Sequence, residues 1–222
     1  MGAAIPKAGV DALIIGGFFK IATFIVLSPL LGMALGFISM ALVLWIFRNR
    51  APSQVDRGFR AGQLLSSAAY SLGHGTNDAQ KTMGIIALTL YTAGLLGPTF
   101  HVPTWVIFAA HGAIGLGTYL GGWKVVRTMG MRLTSLRPVH GFCAETSSAI
   151  VLFGTAAAGI PVSTTHTIAG AIMGVGATRR LSAVRWGIAG KIVWAWILTI
   201  PASGVLSGLI FVVVRWVRTS VM

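Results

Sequence analysis

Between Ala12 and Phe47 the chain carries a single charged side chain, Lys20. A helix needs about 20 predominantly apolar residues to cross a hydrocarbon core. A run of this length therefore fixes the solvent before it fixes the fold. Pieces within 61–95, 104–122, 139–177 and 192–214 repeat the pattern. No alternation of the strand type is visible, which argues against a β-barrel. The fold class expected is all-α, a polytopic membrane protein forming one membrane domain over 1–222. Its first long helix is expected from about Ile21 to Phe47, with a kink at Pro29, because proline removes a backbone donor. That length also exceeds one bilayer, so tilt or kinking is expected.

Charge supports the same solvent. Only 9% of the residues are charged and the mean hydropathy is +0.82, whereas a soluble domain carries about a quarter charged residues. The net charge of +13 would suggest nucleic acid in a soluble protein. Here it has another cause, because Lys and Arg collect in cytoplasmic loops. Segments 48–60, 123–137 and 178–191 each hold four of the 17 basic residues. With these three loops cytoplasmic, both termini lie outside and the localisation expected is the plasma (inner) membrane. Arg215 and Arg218 pull against an external C-terminus. The N-terminus shows no cleavable signal pattern, and one cysteine, Cys143, excludes an intramolecular disulfide.

Four carboxylates are present, and Asp78 and Glu145 are the two set in apolar sequence. Charges at membrane depth are costly and mark function by default. Asp78 belongs to the stretch 73–81, Gly-His-Gly-Thr-Asn-Asp-Ala-Gln-Lys. Gly73 and Gly75 let the backbone leave helical geometry, so a broken helix is expected at 73–77, with Thr76, Asn77 or Asp78 capping the half-helix that follows. Downstream, 139–159 and 164–177 read as a helical hairpin with its tip inside the membrane. Pro161 stops one arm and Ser163 or Thr164 caps the next. Half-helix N-termini aim N–H groups and a positive dipole end at anions.

The expected roles follow. Thr76, Asn77, Ser163, Thr164 and Thr165 are candidates for substrate binding, and Asp78, Glu145, His74 and Gln80 for ion coupling. Glu145 lies about four turns before the tip, too far for direct contact with an anion there. Each motif also has a plainer interpretation. Thr76 to Asp78 would serve as a simple cap, 163–165 as a surface turn, and Lys81 as a snorkelling side chain. His74 and His166 stand between structural and functional roles. His101, His111 and His140 read as packing or interfacial residues, and the seven tryptophans as interface anchors. His140 and Cys143 make one close pair with no second at ligand spacing, so no metal site is expected. No catalytic triad and no nucleotide-binding loop is found, so no enzyme and no cofactor is expected.

At these motifs the chain resembles the inorganic phosphate transporter (PiT) family, specifically its bacterial low-affinity members. The matching stretches are GHGTNDAQKTMGI at 73–85, ETSSA at 145–149 and GIPVSTTHTIAGAIMGVG at 159–176. The resemblance implies secondary transport of inorganic phosphate, in some members as a metal–phosphate complex, driven by H⁺ or Na⁺, with H⁺ favoured. It implies that Asn77 and Asp78 serve the ion and substrate site, that Ser163, Thr164 and Thr165 hold phosphate, and that Glu145 supports coupling. The family has two inverted repeats, and only one copy of the motifs is found here, matching the C-terminal half. Met1 to Ile5 reads as an entry point after the first half's hairpin. That leaves open a split-gene product, a truncated relic or a fragment. A complete site would need a separate N-terminal half; a homo-oligomer, a non-transporting assembly subunit and a sulfate carrier on the same scaffold stay open as alternatives. No nucleic-acid partner is expected.

Overall fold

The computed structural model describes residues 2–9, 11 and 14–221. The Met1 entry point and the opening of the apolar run at Ala12 and Leu13 lie outside the described residues. So do the side chains of Lys124 and Arg132, counted above with the second basic loop. Helices run in the order α1 Ala4–Ala8, α2 Ile15–Ile46, α3 Pro52–Thr92, α4 Thr104–Gly121, α5 Trp123–Arg127, α6 Pro138–Ala157, α7 Thr164–Ala177 and α8 Trp186–Val221. A π-helical turn, Thr128–Leu133, and a 3₁₀ turn, Leu181–Ala183, complete the set. No strand occurs among the described residues.

The chain divides into two units, Met1–Thr23 with Trp186–Met222, and Phe24–Arg185. In the first, α1 lies against α8 so closely that a Cβ on Gly2 would enter the carbonyl of Gly204. In the second, α3, α6 and α7 form the centre, and α4 covers the far end of α3. There Ala79 and Met83 of α3 pack on Val106 and Ala110 of α4.

Polar groups are gathered inward and apolar ones turned outward. Ser66, Asn77, Ser147, Ser148, Thr155, Thr164 and Thr167 are buried, whereas Leu64, Leu65, Leu72, Phe108 and Tyr119 are exposed. Water would not tolerate that surface, and lipid requires it. Helices α2 and α8 are long and apolar enough to cross a membrane. Six of the seven tryptophans, all but Trp196, are exposed, as interface anchors must be.

Helix α3 corrects one expectation. It runs unbroken for 41 residues, straight through 73–77. The polar side chains there bond back along the helix instead of ending it. The Thr76 hydroxyl donates to the carbonyl of Leu72 at 2.8 Å, and Asn77 Nδ2 donates to that of Gly73 at 2.9 Å. Gly73 serves packing, since an added Cβ would lie 3.3 Å from Leu152 Cβ on α6. Gly75 meets nothing. Helix α2, Ile15–Ile46, starts earlier than the expected Ile21 and carries Pro29 within a single helix, as expected.

Helices α6 and α7 are the arms of a hairpin. Gly159, at φ +62°, ends α6. Its N–H donates to Ala156 and that of Ile160 to Thr155, a Schellman closure that needs a left-handed residue. Ser163 then caps α7, its hydroxyl accepting from His166 N–H at 3.4 Å. With 14 residues α7 is about 21 Å long, short of the ~30 Å core.

Helix α7 is held against α2 by interlocked glycines. A Cβ on Gly32 would strike the carbonyl of Thr167, and one on Gly36 the carbonyl of Ala171. In return, Gly170 and Gly174 face the carbonyls of Pro29 and Met33. Small residues four apart let helix backbones touch where no hydrophobic effect drives association.

Candidate functional site

One face of α3 carries Gln63, Ser66, Tyr70, His74, Asp78 and Lys81 at steps of three and four, so they line up along a single continuous helix. The hairpin meets this line in two places.

At the tip, Thr164 is 1% exposed and its hydroxyl donates to Asp78 Oδ2 at 3.0 Å. The same oxygen atom of Thr164 lies 2.9 Å from His74 Nδ1. A hydroxyl has one proton, so while it serves Asp78 the His74 Nδ1 must be the donor. His74 Nδ1 is also 3.4 Å from Asp78 Oδ2, and Tyr70 stacks on the imidazole at 6.1 Å. Lys81 Nζ donates to Asp78 Oδ1 at 2.9 Å and to the carbonyl of Val162 at 2.8 Å. Its ammonium thus sits between a carboxylate and a carbonyl, where a bound cation would be expected.

Next to this cluster lies a cleft of about 260 Å³, lined by Asn77, Gln80 and Lys81 of α3 and by Ala156 and the turn Gly159–Pro161. At about 30 Å³ per water, it has room for a tetrahedral oxyanion with part of its hydration. Asn77 is buried and holds the wall, donating to Gly73 and, at 3.4 Å, to the carbonyl of Leu152.

Further along α3, the Glu145 carboxylate accepts from the Ser66 hydroxyl at 2.6 Å and from Gln63 Nε2 at 3.5 Å. Ser66 precedes Asp78 by 12 residues, about 18 Å along the axis. The two half-buried carboxylates therefore occupy separate clusters on one helix. Close packing fixes the second, because a Cβ on Gly141 would run into the Gln63 amide.

Of the expected site residues, His74, Asp78 and Thr164 come together, and Asn77 and Gln80 face the adjoining cleft. Ser163 commits its hydroxyl to the cap, Thr165 is exposed, and Thr76 is bonded to its own helix. Glu145 stands apart. Lys81, whose role the sequence left undecided, proves central, and Val162 contributes only a carbonyl, which no side-chain pattern announces. Ser66, Gln63 and Tyr70 were missed, although their spacing from His74 carried the signal. His140 accepts from the Arg137 N–H at 3.0 Å, a capping role. His101 and His111 lie on the surface beside backbone carbonyls. Among the described residues no group of three or more metal-ligating side chains converges.

Comparison with known proteins bears on this arrangement. A model of the Phosphate transporter family matches residues 1–207. The chain belongs to that family. This family member is 52% identical over 211 residues to a Rhizobium meliloti (strain 1021) protein named as a probable low-affinity inorganic phosphate transporter, covering 95% of the chain and 63% of the relative. A Bacillus subtilis (strain 168) protein of the same name is 42% identical over 216 residues, covering 97% and 65%. A Mycobacterium bovis protein, again of that name, is 39% identical over 219 residues, covering 98% and 52%. The chain thus spans between half and two thirds of the length of these relatives. A solved structure named "The sodium-dependent phosphate transporter" superposes with a TM-score of 0.87 over 97% of the chain and 71% of its own, at 23% identity, a likeness of fold. The resemblance seen in the motifs is borne out at the level of the family, whose relatives are named for transport rather than catalysis.

Proposed function

We propose that this chain supplies one part of a secondary transporter that carries inorganic phosphate across the plasma membrane, with proton uptake driving phosphate entry. The observation that carries the proposal is the cluster of Asp78, Thr164, His74 and Lys81, which ties the middle of an apolar-flanked helix to a hairpin tip. The three basic loops face the cytoplasm in this reading, and a separate N-terminal half, of opposite orientation, completes the site.

The roles divide by geometry. Asp78 and His74 exchange protons through the Thr164 hydroxyl, which can donate to one and accept from the other. Protonating Asp78 weakens its hold on Lys81 and frees the ammonium for an anion in the adjoining cleft. Gln80, Asn77 and Lys81 with the N–H groups and hydroxyls at 163–165 then receive phosphate, bare or as a metal–phosphate complex. Thr76 supports Asn77 from the same turn, and Glu145 responds to the movement of α6 against α3. Protons are preferred to Na⁺ because the Lys81 ammonium already occupies the place between the Asp78 carboxylate and the Val162 carbonyl. A sodium ion there would have to expel it. The solved neighbour is named for its dependence on sodium, so the choice is put to experiment.

The chain is co-expressed with a complementary half from a relative, and labelled phosphate uptake is measured. Asp78→Asn and Thr164→Ala are expected to abolish uptake; full uptake in both would sink the site assignment. Uptake that required Na⁺ at fixed pH would overturn the proton reading. Sulfate competing as well as phosphate would widen the substrate to tetrahedral oxyanions generally.

A further inference from the structure

At the opposite end of α3 the second unit carries two adjoining cavities, which share lining residues and stand apart from the Asp78–Thr164 cluster. The first, of about 290 Å³, is faced by Arg48 and Arg50 after α2, Arg137 before α6 and Arg179 after α7. Guanidinium groups in cytoplasmic loops are ordinary. Here four arginines, from three separate stretches of chain, line one cavity that has a single acidic residue, Asp56, whose carboxylate lies 3.8 Å from Arg137. The His140 imidazole does not add to the charge, since its Nδ1 accepts from the Arg137 N–H.

The second cavity, of about 440 Å³, shares Phe47, Arg50 and Val55 with the first and continues along α3. Gln54, Gly58 and Gly62 recur every four residues and form its floor over about 12 Å. Phe47, Phe59 and Phe142 form an edge-to-face row beside it, with centroids 5.5 and 5.0 Å apart. A cavity lined by four arginines thus adjoins an aromatic-walled, glycine-floored groove along the first turns of α3.

We propose that this compound cavity binds an anionic phospholipid of the cytoplasmic leaflet, its phosphate among Arg48, Arg50, Arg137 and Arg179 and the start of one acyl chain along Gly58 and Gly62. Charge complementarity selects the headgroup, and the groove distinguishes a lipid from a free phosphate ion. The lipid site is independent of what the transporter carries.

The purified chain is examined by native mass spectrometry in detergent with palmitoyl-oleoyl phosphatidylglycerol, the matching phosphatidylcholine, or inorganic phosphate. Phosphatidylglycerol is expected to bind in preference to phosphatidylcholine and to survive millimolar inorganic phosphate. Arg50→Gln with Arg179→Gln should weaken it roughly 30-fold. The charge-conserving pair, Arg50→Lys with Arg179→Lys, should retain most of the binding, and its elution profile controls for folding. Equal retention of both lipids, or no loss in the glutamine pair, overturns the proposal. So does displacement of the lipid by inorganic phosphate, which would make this an ion site. Cross-linking of Gly58→Cys to a second copy, without bound lipid, would make the groove a protein interface and overturn it as well.

Discussion

Thr164 is the residue on which the tip turns. Its hydroxyl has one proton and two claimants, Asp78 and His74. Thr164→Ser keeps the hydroxyl and is expected to keep uptake in the reconstituted transporter. Thr164→Val keeps the shape, leaves both partners unsatisfied, and is expected to remove it. Equal uptake in the two would show that the hydroxyl is not used. Asp78 and Glu145 offer a second test at this scale. Their clusters lie about 18 Å apart, beyond the ~10 Å within which mutational effects usually couple. Asp78→Asn and Glu145→Gln should therefore add in thermal stability to within about 0.5 kcal/mol. A larger deviation in a double-mutant cycle would mean that α3 transmits strain between them. Gly159 tests the turn alone. Its φ is +62° and nothing lies within 4 Å of an added Cβ. Gly159→Ala should cost roughly 1–2 kcal/mol, the left-handed penalty, read as a lower melting midpoint in detergent.

At the scale of elements, the crossing of α2 and α7 is set by backbone contact. Gly174→Val would drive methyl groups into the Met33 carbonyl, and overpacking of this kind costs about 1–3 kcal/mol or more. Gly84, on the open side of α3 with nothing within 4 Å, is the control. Gly84→Ala should be neutral or stabilising by up to about 1 kcal/mol, the helix preference for alanine. Similar melting midpoints in the two variants would contradict the close crossing. These elements also show what the sequence disclosed. The hairpin was legible because its signals are local: Gly159 and Pro161 stop one arm and Ser163 caps the next. The continuity of α3 was not, because a glycine in a polar stretch has two uses, to break a helix or to let another approach. Only Leu152, far along the chain, decides between them for Gly73. The stripe from Gln63 to Lys81 held a further hint, since a four-residue rhythm carried across 73–77 requires one unbroken helix. Among site residues, Asp78 and Thr164 stood out because polarity in apolar sequence is conspicuous. Val162 was invisible because a main-chain carbonyl has no letter.

For the whole molecule, the decisive property is the inversion of polarity, with hydroxyls and amides inside and leucines outside. Taken with the three basic segments, expected on the cytoplasmic side, it predicts a sidedness that can be measured. In a Cys143→Ala background, Thr99→Cys, on the uncharged loop after α3, should react with a membrane-impermeant maleimide in intact cells. Arg57→Cys, in the first basic segment at the start of α3, should react only after permeabilisation. The opposite pattern would reverse the orientation, and labelling of both from outside would remove α3 from the membrane. In the unsubstituted protein Cys143, 1% exposed, should stay unlabelled before and after permeabilisation.

The short arm α7 also constrains how the protein is made. It is too short to span lipid, and Thr164 and Thr167 make it a poor occupant of bare hydrocarbon. The surfaces that receive the tip and the glycine face of α7 have already left the ribosome: Pro29 and Met33 on α2, Asp78 and Lys81 on α3, and α6 itself; only the turn Leu181–Ala183 and Val184, against the far end of α7, come later. Chains emerge N-terminus first, so the surfaces on α2, α3 and α6 precede the segment they receive. Biogenesis can then proceed without α7 ever facing lipid alone, and a permuted gene that placed α7 first would leave it waiting in the translocon.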